Sequence, residues 1–423
     1  MKRGEAVIIG GGIAGLAAAL ELARKGMSTT VLESKNRFGG RIQTVRHNST
    51  PIELGAEFVH GCSKPLLEAI RKAGLSMQPV ADQYRSYEEG KFQNSRIWEI
   101  ISDVLNQVDI RKPDCSIDVF LAGQPFDEPT RAVVRHFVTG FDAAYPGRIS
   151  AHACRRAEYS GEQMNLDQQS RLIEGYGALV DYFVREIQAC GGRLISGAKV
   201  RRIRWKPGSV EVVARQGRRQ KMFQADAAVV TLPVGVLKAG DVIFEPSLPG
   251  KIEAANGLEF GNVVKVIFHF KESSWNDFGF IQVPGAPLPT WWSDPRGPML
   301  TGWAGGADAD PLLRFSTKKL CSTGLEILSR ILFDGLPISV LRRRLLAVHY
   351  YNWANDSDIR GAYSYIPVNG LDLPKLLAAP VSGTLFFAGE ATVKDAQTGT
   401  VFGALETGQR AAQEILSRIV RKP

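Results

Sequence analysis

The clearest pattern of apolar and polar positions lies in the first forty residues. A short apolar run at residues 6–9 is typical of a buried strand. Residues 16–24 are rich in alanine and leucine without a breaker, which predicts a helix that Gly26 ends. Residues 28–32 predict a second strand, which finishes at the acidic Glu33. Strand, helix and strand in this order indicate an α/β fold.

The later pattern predicts further elements. Residues 80–170 look mostly helical, with breaks at Pro113, Pro125, Pro129 and Pro146. The remaining predicted elements are a helix at 175–187, a strand at 257–270, a helix at 316–333, a segment at 341–348 leading into a strand, a buried strand at 385–388 and a helix beginning near 401–403.

Composition narrows the class of protein. With 423 residues, 44% hydrophobic and 22% charged, the chain has an ordinary globular composition and room for about two domains. Its formal charge of +9 could indicate nucleic acid or an anionic membrane. However, the basic residues are scattered along the sequence, and the longest run, residues 342–344, is typical of a solvated helix face. No nucleic-acid or membrane partner is therefore expected, and no apolar run is long enough to span a bilayer.

Cysteine and histidine usage points to a reduced compartment without a metal. The five cysteines are spread out, and none forms a C-x-x-C pair. They indicate free thiols in a cytoplasmic protein. The six histidines include no pair at metal-binding spacing, so no metal is expected.

Glycines connect the first predicted strand to its helix. Gly10, Gly12 and Gly15 stand at the G-x-G-x-x-G spacing. Gly10 allows a tight turn, Gly12 lets the backbone approach a pyrophosphate, and Gly15 lets helix and strand pack closely. The helix N-terminus offers unpaired N–H groups to phosphates, and Glu33 can accept hydrogen bonds from ribose hydroxyls. The pattern predicts a dinucleotide site; the alternative is a glycine-rich turn without a ligand.

A second glycine pair follows in the sequence NRFGGRI. Arg37 and Arg41 flank Gly39 and Gly40, and two cations beside a glycine pair suit a diphosphate. This arrangement resembles the FAD-binding start of the flavin amine oxidase superfamily, which includes polyamine oxidases, monoamine oxidases and lysine-specific demethylases. The resemblance implies FAD as the cofactor, in place of NAD.

The segment IELGAEFVHG resembles a flavin-lining segment of polyamine oxidases. The resemblance implies flavin contacts from Gly55, Ala56, Glu57 and Phe58, with His60 near the substrate. His60 either tunes the protonation of a bound amine or caps a loop. Phe58 stands where L-amino-acid oxidases carry a carboxylate-binding arginine, which argues against an amino acid as substrate. Glu57 could supply local acidity at the substrate entrance.

Lys265 lies inside a predicted strand, where an unpaired charge is costly to bury. It is either an outward-facing charge at a sheet edge or, by the resemblance, the lysine that holds a water at flavin N5. A cation there would stabilise the reduced flavin and assist its reaction with dioxygen. Trp291 and Trp292, in a loop rich in proline and glycine, either line the substrate entry or pack in the core.

The resemblance also implies an aromatic set beside the flavin. Trp353 and Tyr363 match a tryptophan and a tyrosine of polyamine oxidases and lysine demethylases. Thr400 stands where monoamine oxidases carry a second tyrosine, so only half of their aromatic cage is present. Ala362 replaces the cysteine that bonds to flavin in monoamine oxidases, which implies non-covalent FAD. The implied catalytic set is Lys265, Tyr363, Trp353, His60 and Thr400.

Further cofactor contacts are implied along the chain. Val200 matches a position near the adenine, Gly389 and Glu390 match the family's G-E near the pyrophosphate and ribityl, and the helix starting near Val401 would point at the flavin ring. The complete implied cofactor set is Gly10, Gly12, Ile13, Ala14, Gly15, Glu33, Ser34, Arg37, Gly39, Gly40, Arg41, Gly55, Ala56, Glu57, Phe58, Val200, Pro233, Trp353, Gly389, Glu390, Thr400 and Val401.

The resemblance implies a fold and a domain plan. We expect an amine oxidase fold of class α/β, with a discontinuous Rossmann-type FAD-binding domain at residues 1–79, 171–243 and 361–423. Residues 80–170 and 244–360 would form a mixed α+β substrate-binding domain. The 80–170 segment is too short for the helical arm of chromatin-bound demethylases, and we expect no chromatin-targeting module before the first strand.

The function implied is that of an FAD-dependent amine oxidase. A primary or secondary amine, preferably polyamine-like, would give a hydride to flavin N5, and dioxygen would then yield hydrogen peroxide. One alternative is a flavin desaturase or oxidase of the carotenoid or porphyrinogen type, whose members lack the set of Lys265, Trp353 and Tyr363. Another is a non-catalytic flavoprotein that binds a protein partner. The sequence leaves the oligomeric state open.

Overall fold

The computed structural model describes residues 4–81, 83–394 and 397–419. The strands, in chain order, are β1 (Glu5–Ile9), β2 (Ser28–Leu32), β3 (Thr44–His47), β4 (Thr50–Glu53), β5 (Phe58–His60), β6 (Met77–Pro79), β7 (Tyr84–Glu88), β8 (Lys91–Asn94), β9 (Gln169–Leu172), β10 (Arg193–Ile195), β11 (Ala198–Lys206), β12 (Ser209–Gln216), β13 (Arg219–Ala225), β14 (Ala227–Val230), β15 (Ile243–Glu245), β16 (Glu259–Gly261), β17 (Val263–Phe270), β18 (Phe280–Gln282), β19 (Thr290–Asp294), β20 (Met299–Gly305), β21 (Leu345–Tyr350), β22 (Tyr363–Tyr365) and β23 (Leu385–Phe387).

The helices, in chain order, are α1 (Ile13–Arg24), α2 (Lys64–Ala73), α3 (Ile97–Leu105), α4 (Ile117–Ala122), α5 (Glu128–Gly140), α6 (Ala151–Met164), α7 (Tyr176–Ala189), α8 (Val234–Lys238), α9 (Pro249–Gly257), α10 (Gly306–Leu312), α11 (Thr317–Leu332), α12 (Ile338–Arg344), α13 (Leu373–Ala378) and α14 (Val401–Ile419). A short 3-10 turn spans Glu390–Thr392. Among the helices of the described ranges, none combines the length and apolar character needed to cross a membrane.

A five-stranded parallel sheet carries the glycine turns, in the order β10-β2-β1-β14-β23. Alternate residues of its strands enter two different apolar clusters, which explains why the strands are apolar along their length. In β1, Ile8 packs with helices α1, α7 and α14, whereas Ile9 packs with β11 and β12 of a second sheet. The core therefore lies on both faces of this sheet.

A seven-stranded sheet forms the other large layer, in the order β21-β17-β20-β19-β18-β7-β8. Every residue of β17 is buried, because the strand lies between β20 and β21 and one of its faces packs on α11. Helices α3 to α6 form a separate apolar cluster beside it. The middle of β17 contacts the segment that precedes β5, because the Lys265 side chain reaches Gly55 and Glu57.

Several sequence predictions are confirmed by these elements. The strand at 28–32 is β2, and the helix predicted at 316–333 is α11, whose N-terminus Ser316 caps by accepting a hydrogen bond from the Lys319 N–H. The helices predicted at 175–187 and near 401 are α7 and α14. Arg342, Arg343 and Arg344 are exposed at the end of α12, as the charge pattern indicated.

Other expectations were wrong in detail. Pro129 does not break a helix: it lies in the first turn of α5, where a missing N–H costs nothing. The segment predicted as mostly helical also contains β7 and β8.

The basic residues are less scattered than the sequence analysis suggested, because β11 to β13 and their turns carry nine lysines and arginines and only one acid, Glu211. Three of these cations pair with carboxylates, including Arg202 with Glu245.

The two large sheets draw on the segments expected for two domains. The five-stranded sheet uses only segments assigned to the FAD-binding domain, and the seven-stranded sheet uses only segments assigned to the substrate-binding domain. Small sheets cross that plan, since β16 pairs with β22 across the predicted boundary at residue 360 and β11 pairs with β15 across the one at residue 243. The division into two domains stays a prediction.

Candidate active site

A cavity of about 460 Å³ extends from the first glycine turn to the aromatic pair Trp353 and Tyr363. Two of the predicted site residues, Gly15 and Arg37, do not line it. The predicted residues that do are Gly10, Gly12, Ile13, Ala14, Glu33, Ser34, Gly39, Gly40, Arg41, Gly55, Ala56, Glu57, Phe58, His60, Val200, Pro233, Lys265, Trp353, Tyr363, Gly389, Glu390, Thr400 and Val401. Residues far apart in the sequence therefore meet around one space.

The first glycine turn has the geometry that the motif requires. Gly10 leaves β1 at φ +108°, a conformation that favours glycine. A Cβ on Gly15 would lie 2.0 Å from the Gly10 carbonyl oxygen, so α1 can approach β1 only with glycine there. Gly12 precedes α1 without a capping side chain, which leaves the first N–H groups of the helix available. These donors, at a turn open to the cavity, fit a pyrophosphate.

Glu33 ends β2 beside this turn. Its carboxylate is buried and accepts hydrogen bonds from the Gly11 N–H at 2.7 Å and the Lys35 N–H at 2.8 Å. The Ser34 hydroxyl donates to it at 3.1 Å. The carboxylate thus holds the glycine turn and the start of the next loop, and its bond to a ribose stays a prediction.

The two arginines of NRFGGRI have different surroundings. The Arg37 guanidinium donates to the carbonyl oxygens of Gly40 and Ile42 and to the side chain of Gln43. It therefore ties the loop together from outside the cavity. The Arg41 guanidinium lines the cavity and donates to the Ala362 carbonyl and to Glu390, each at 2.8 Å.

Glu390 is a buried carboxylate whose partners among the described residues are hydrogen-bond donors. Besides Arg41, it accepts hydrogen bonds from the N–H and hydroxyl of Ser364 and from the Gly399 N–H at 2.9 Å. Gly389 stands at φ +129°, and a Cβ there would meet nothing within 4 Å. The start of α14 at Val401 lines the same space. An open glycine and a second helix N-terminus are compatible with the predicted cofactor contacts.

Lys265 is buried and paired, so it is not an outward-facing edge charge. Its ammonium lies 2.6 Å from a carboxylate oxygen of Glu57 and donates to the Gly55 carbonyl at 3.2 Å. The other Glu57 oxygen accepts from Arg171 at 2.7 Å and from the Trp292 indole at 3.0 Å. Burial alone would raise the pKa of Glu57, but the charges of Lys265 and Arg171 outweigh it and lower that pKa to about 2.

This pairing corrects the role expected for Glu57. The sequence suggested an acid that makes the entrance locally negative. The structure places its side chain 4% exposed, with its charge compensated by Lys265 and Arg171. Glu57 therefore cannot attract a cation to the entrance.

The aromatic residues Trp353 and Tyr363 both line the cavity. The Trp353 indole donates to the Leu54 carbonyl at 2.9 Å, and the Tyr363 hydroxyl donates to the Phe141 carbonyl at 2.7 Å. Burial, helped by the carboxylates of Asp142 and Glu390, raises the pKa of Tyr363. The Thr400 hydroxyl accepts from the Gly403 N–H and donates to the Gln397 carbonyl, so it caps the start of α14.

His60 ends strand β5 and faces the cavity between aromatic rings. Its ring stands edge-on to Phe58 at 6.1 Å and to Phe141 at 5.8 Å. The buried Nδ1 has no hydrogen-bond partner among the described residues. Burial lowers the pKa of His60 to about 4, so the imidazole is neutral at pH 7. Among the described residues, Nδ1 therefore makes none of the hydrogen bonds that a loop cap would require.

The two neighbouring tryptophans divide the roles that the sequence left open. They lie in strand β19, not in a loop, so their side chains point to opposite faces of the sheet. Trp291 is fully buried in the apolar core and donates to the Leu288 carbonyl. Trp292 lines the cavity and holds Glu57.

Four acids that sequence reasoning missed also line the cavity, namely Asp142, Glu158, Asp241 and Asp358, and the first two influence each other. Asp142 follows α5 and Glu158 lies within α6. Burial, together with the charge of Glu158, raises the pKa of Asp142 to about 7. Burial also raises the pKa of Glu158. No motif surrounds either residue, so only the packing of α5 and α6 against the cavity could have revealed them.

Comparison with known proteins places this site in a family. The sequence model of the flavin-containing amine oxidoreductases matches residues 13–109 and 114–416. The chain belongs to this family. It is 30% identical to polyamine oxidase 2 of Arabidopsis thaliana, over 98% of this chain and 89% of that protein. It is 31% identical to polyamine oxidase 3 of Oryza sativa subsp. japonica, over 99% and 90% respectively.

A solved structure has the same fold. Wild-type putrescine oxidase bound to putrescine superposes with a TM-score of 0.83 at 19% identity, over 98% of this chain and 99% of that one. The expected amine oxidase fold is therefore confirmed. Family membership also confirms the FAD cofactor and the amine oxidase activity, and it does not favour the desaturase or the non-catalytic alternative. When bound, a flavin supplies a two-electron acceptor for a C–H bond beside nitrogen.

Proposed function

We propose that this amine oxidase acts on a di- or polyamine and releases hydrogen peroxide. The α-carbon of one amine would lose a hydride to the flavin, and dioxygen would take up the electrons. The resulting imine hydrolyses to an aldehyde and a smaller amine or ammonia. The polyamine oxidase names of the sequence relatives, and the putrescine bound in the structural relative, support this substrate class.

The main structural support for this substrate class is the pair of acids Asp142 and Glu158, which lie near Tyr363 in the cavity. The Tyr363 hydroxyl donates to the carbonyl of Phe141, the residue before Asp142. Asp142 is also close enough to raise the pKa of the Tyr363 hydroxyl, after the larger effect of burial. Glu158 lines the same space. Two carboxyl groups that influence each other at one end of the cavity favour a substrate with more than one ammonium group.

The chain's own residues would divide the work as follows. Tyr363 and Trp353 would confine the reacting amine, and His60, uncharged at neutral pH, would add no positive charge that repels it. Lys265 would place a positive charge where negative charge develops. Asp142 and Glu158 would bind a second ammonium group and so select the length of the substrate.

The experiment is anaerobic mixing of the purified protein with amines, followed by loss of the flavin absorbance. We expect putrescine, spermidine and spermine to bleach the flavin at lower concentrations than butylamine, which has one ammonium group. Glu158 and Glu162 lie one helical turn apart in α6, so variants at these two positions form a matched pair. Glu158→Gln should raise the concentration of diamine for half-maximal rate about tenfold, the value of one charge-assisted contact. Glu162 does not line the cavity and its charge only raises the pKa of Glu158, so Glu162→Gln should not raise that concentration.

Either of two results would refute the substrate class. One is bleaching by butylamine as readily as by the diamines. The other is bleaching by none of the amines, although the protein carries flavin.

We also infer a cytoplasmic location. The support is that Cys62, Cys115, Cys154, Cys190 and Cys321 are all free thiols, as is usual in a reducing compartment. Fractionation of cells with an antibody to the protein tests it, and recovery in a secreted fraction would contradict it.

A further inference from the structure

Lys265 has little freedom in its position. It lies in the interior strand β17, and its side chain is 4% exposed. An ammonium group has three N–H donors, of which Glu57 and the Gly55 carbonyl take two. One donor is left, on a side chain that lines the cavity.

Glu57 is itself held from the opposite side. Strands β5 and β9 pair so that Arg171 stands across from Phe58, the residue after Glu57. The Arg171 guanidinium stacks over the Phe58 ring at 4.7 Å and donates to the Ser293 carbonyl at 3.1 Å. It therefore meets Glu57 in one orientation, and the Trp292 indole fixes the same carboxylate oxygen.

The other charged groups near Lys265 and Arg171 do not take the place of the Glu57 carboxylate. Arg296, the next cation, is occupied by Asp294 at 2.6 Å. The buried Glu53 accepts hydrogen bonds from Thr44 and the Tyr176 N–H and lies 3.8 Å from Arg296. Glu57 is therefore the anion that contacts both Lys265 and Arg171. If the side chain at position 57 were uncharged, the buried cations Lys265 and Arg171 would have no anion between them.

We propose that Glu57, clamped by Arg171 and Trp292, is a positioning residue that fixes the Lys265 ammonium and keeps it charged at the flavin. Glu57 acts through Lys265, since its two oxygens are occupied by protein donors. The charge that the flavin meets is then set by a carboxylate–guanidinium pair that the pairing of β5 with β9 brings together. The proposal needs the flavin of the family, but it does not need the polyamine substrate proposed above.

The test is a pH titration of the bound flavin without any amine. Glu57→Gln keeps the shape of the side chain and removes the anion. We expect its flavin absorbance and midpoint potential to acquire one additional proton-linked transition between roughly pH 5 and 7.5, because burial without a counter-ion lowers the pKa of a lysine by up to about 3–5 units. The parent should lack this transition. The double variant Glu57→Gln with Lys265→Met should lack it as well, since no ammonium is left to titrate.

The matched control is Glu53→Gln, which removes another buried glutamate that does not line the cavity. It should lower stability without adding the transition. Glu57→Asp keeps the charge but shortens the reach, so its midpoint potential should shift by the same amount at every pH, and this variant tests the proposal if Glu57→Gln does not fold. A Glu57→Gln protein whose flavin titrates as the parent does would overturn the proposal. A Glu57→Asp protein that matches the parent in midpoint potential would overturn it too.

Discussion

Arg41 and Glu390, which lie 349 residues apart in the sequence, form an ion pair of 2.8 Å in the wall of the cavity. Arg41 follows the second glycine pair, and Glu390 follows the strand β23 at the other end of the chain. The same carboxylate holds Ser364 and Gly399. One buried acid thus joins three segments that face the flavin site.

Glu390→Gln should lower the free energy of unfolding by about 3–5 kcal/mol, because the amide leaves a buried donor set without its anion. Urea denaturation of the apoprotein measures this loss. The control is Glu186→Gln, which breaks an exposed pair with Arg24 and should cost about 1 kcal/mol or less. Equal losses in the two variants would contradict the role given to Glu390.

Gly15→Ala should reduce both stability and flavin content. Its new Cβ would clash with the Gly10 carbonyl at 2.0 Å, and overpacking of this kind costs about 1–3 kcal/mol. The measurements are the melting temperature and the ratio of flavin to protein absorbance. Gly250→Ala, in α9 with open space around its Cβ, should change neither by much. A Gly15→Ala protein with full flavin content would show that α1 can move away from β1.

His60 should make the protein less stable as pH falls from about 6.5 to 4. The folded protein holds the pKa of His60 at about 4, below its ordinary value of 6.5, because the ring is buried. Between these values the unfolded chain takes up a proton that the folded chain does not, so stability is lost by at most about 1.4 kcal/mol per pH unit. Above pH 6.5 this contribution is constant. His60→Gln should remove that part of the pH dependence. Urea denaturation at a series of pH values from 7 to 4.5 measures it, and an equal loss of unfolding free energy in both proteins would refute this role of His60.

Asp142 should make diamine binding depend on pH. Burial, together with Glu158, puts the pKa of Asp142 at about 7, so the carboxylate becomes fully charged only above that pH. The KM for a diamine, divided by the KM for the matching monoamine, should fall about tenfold between pH 6 and 8, as the ionised fraction rises. Asp142→Asn should flatten this ratio. A parent ratio that does not vary with pH would remove Asp142 from substrate binding.

The flavin should be released by acid. Ala362 lines the cavity beside Tyr363, and an alanine side chain cannot bond to a flavin. Precipitation with trichloroacetic acid should therefore leave the yellow colour in the supernatant. Colour retained on the precipitated protein would mean a covalent link at another residue.

Local pattern predicted the elements near the cofactor well. The G-x-G-x-x-G turn, the strand at 28–32 and the helix at 316–333 depend on neighbouring residues and on glycine's backbone freedom, so the sequence contains their cause. The strands β7 and β8 were missed because their burial is incomplete and because β18, the partner of β7, lies 196 residues later. The two tryptophans could not be assigned before β19 showed which face each one occupies.

The sequence by itself determined the family and the glycine turn, and it named some of the residues that line the cavity, because motifs keep their spacing whatever surrounds them. Only the tertiary structure decided which charges meet. Glu57 looked like an entrance acid until the pairing of β5 with β9 and the burial of β17 put Arg171 and Lys265 against it. Asp142 and Glu158 became a pair only when α5 and α6 packed around one cavity. Charge pairing depends on distances between residues far apart in the chain, and no local pattern records those distances.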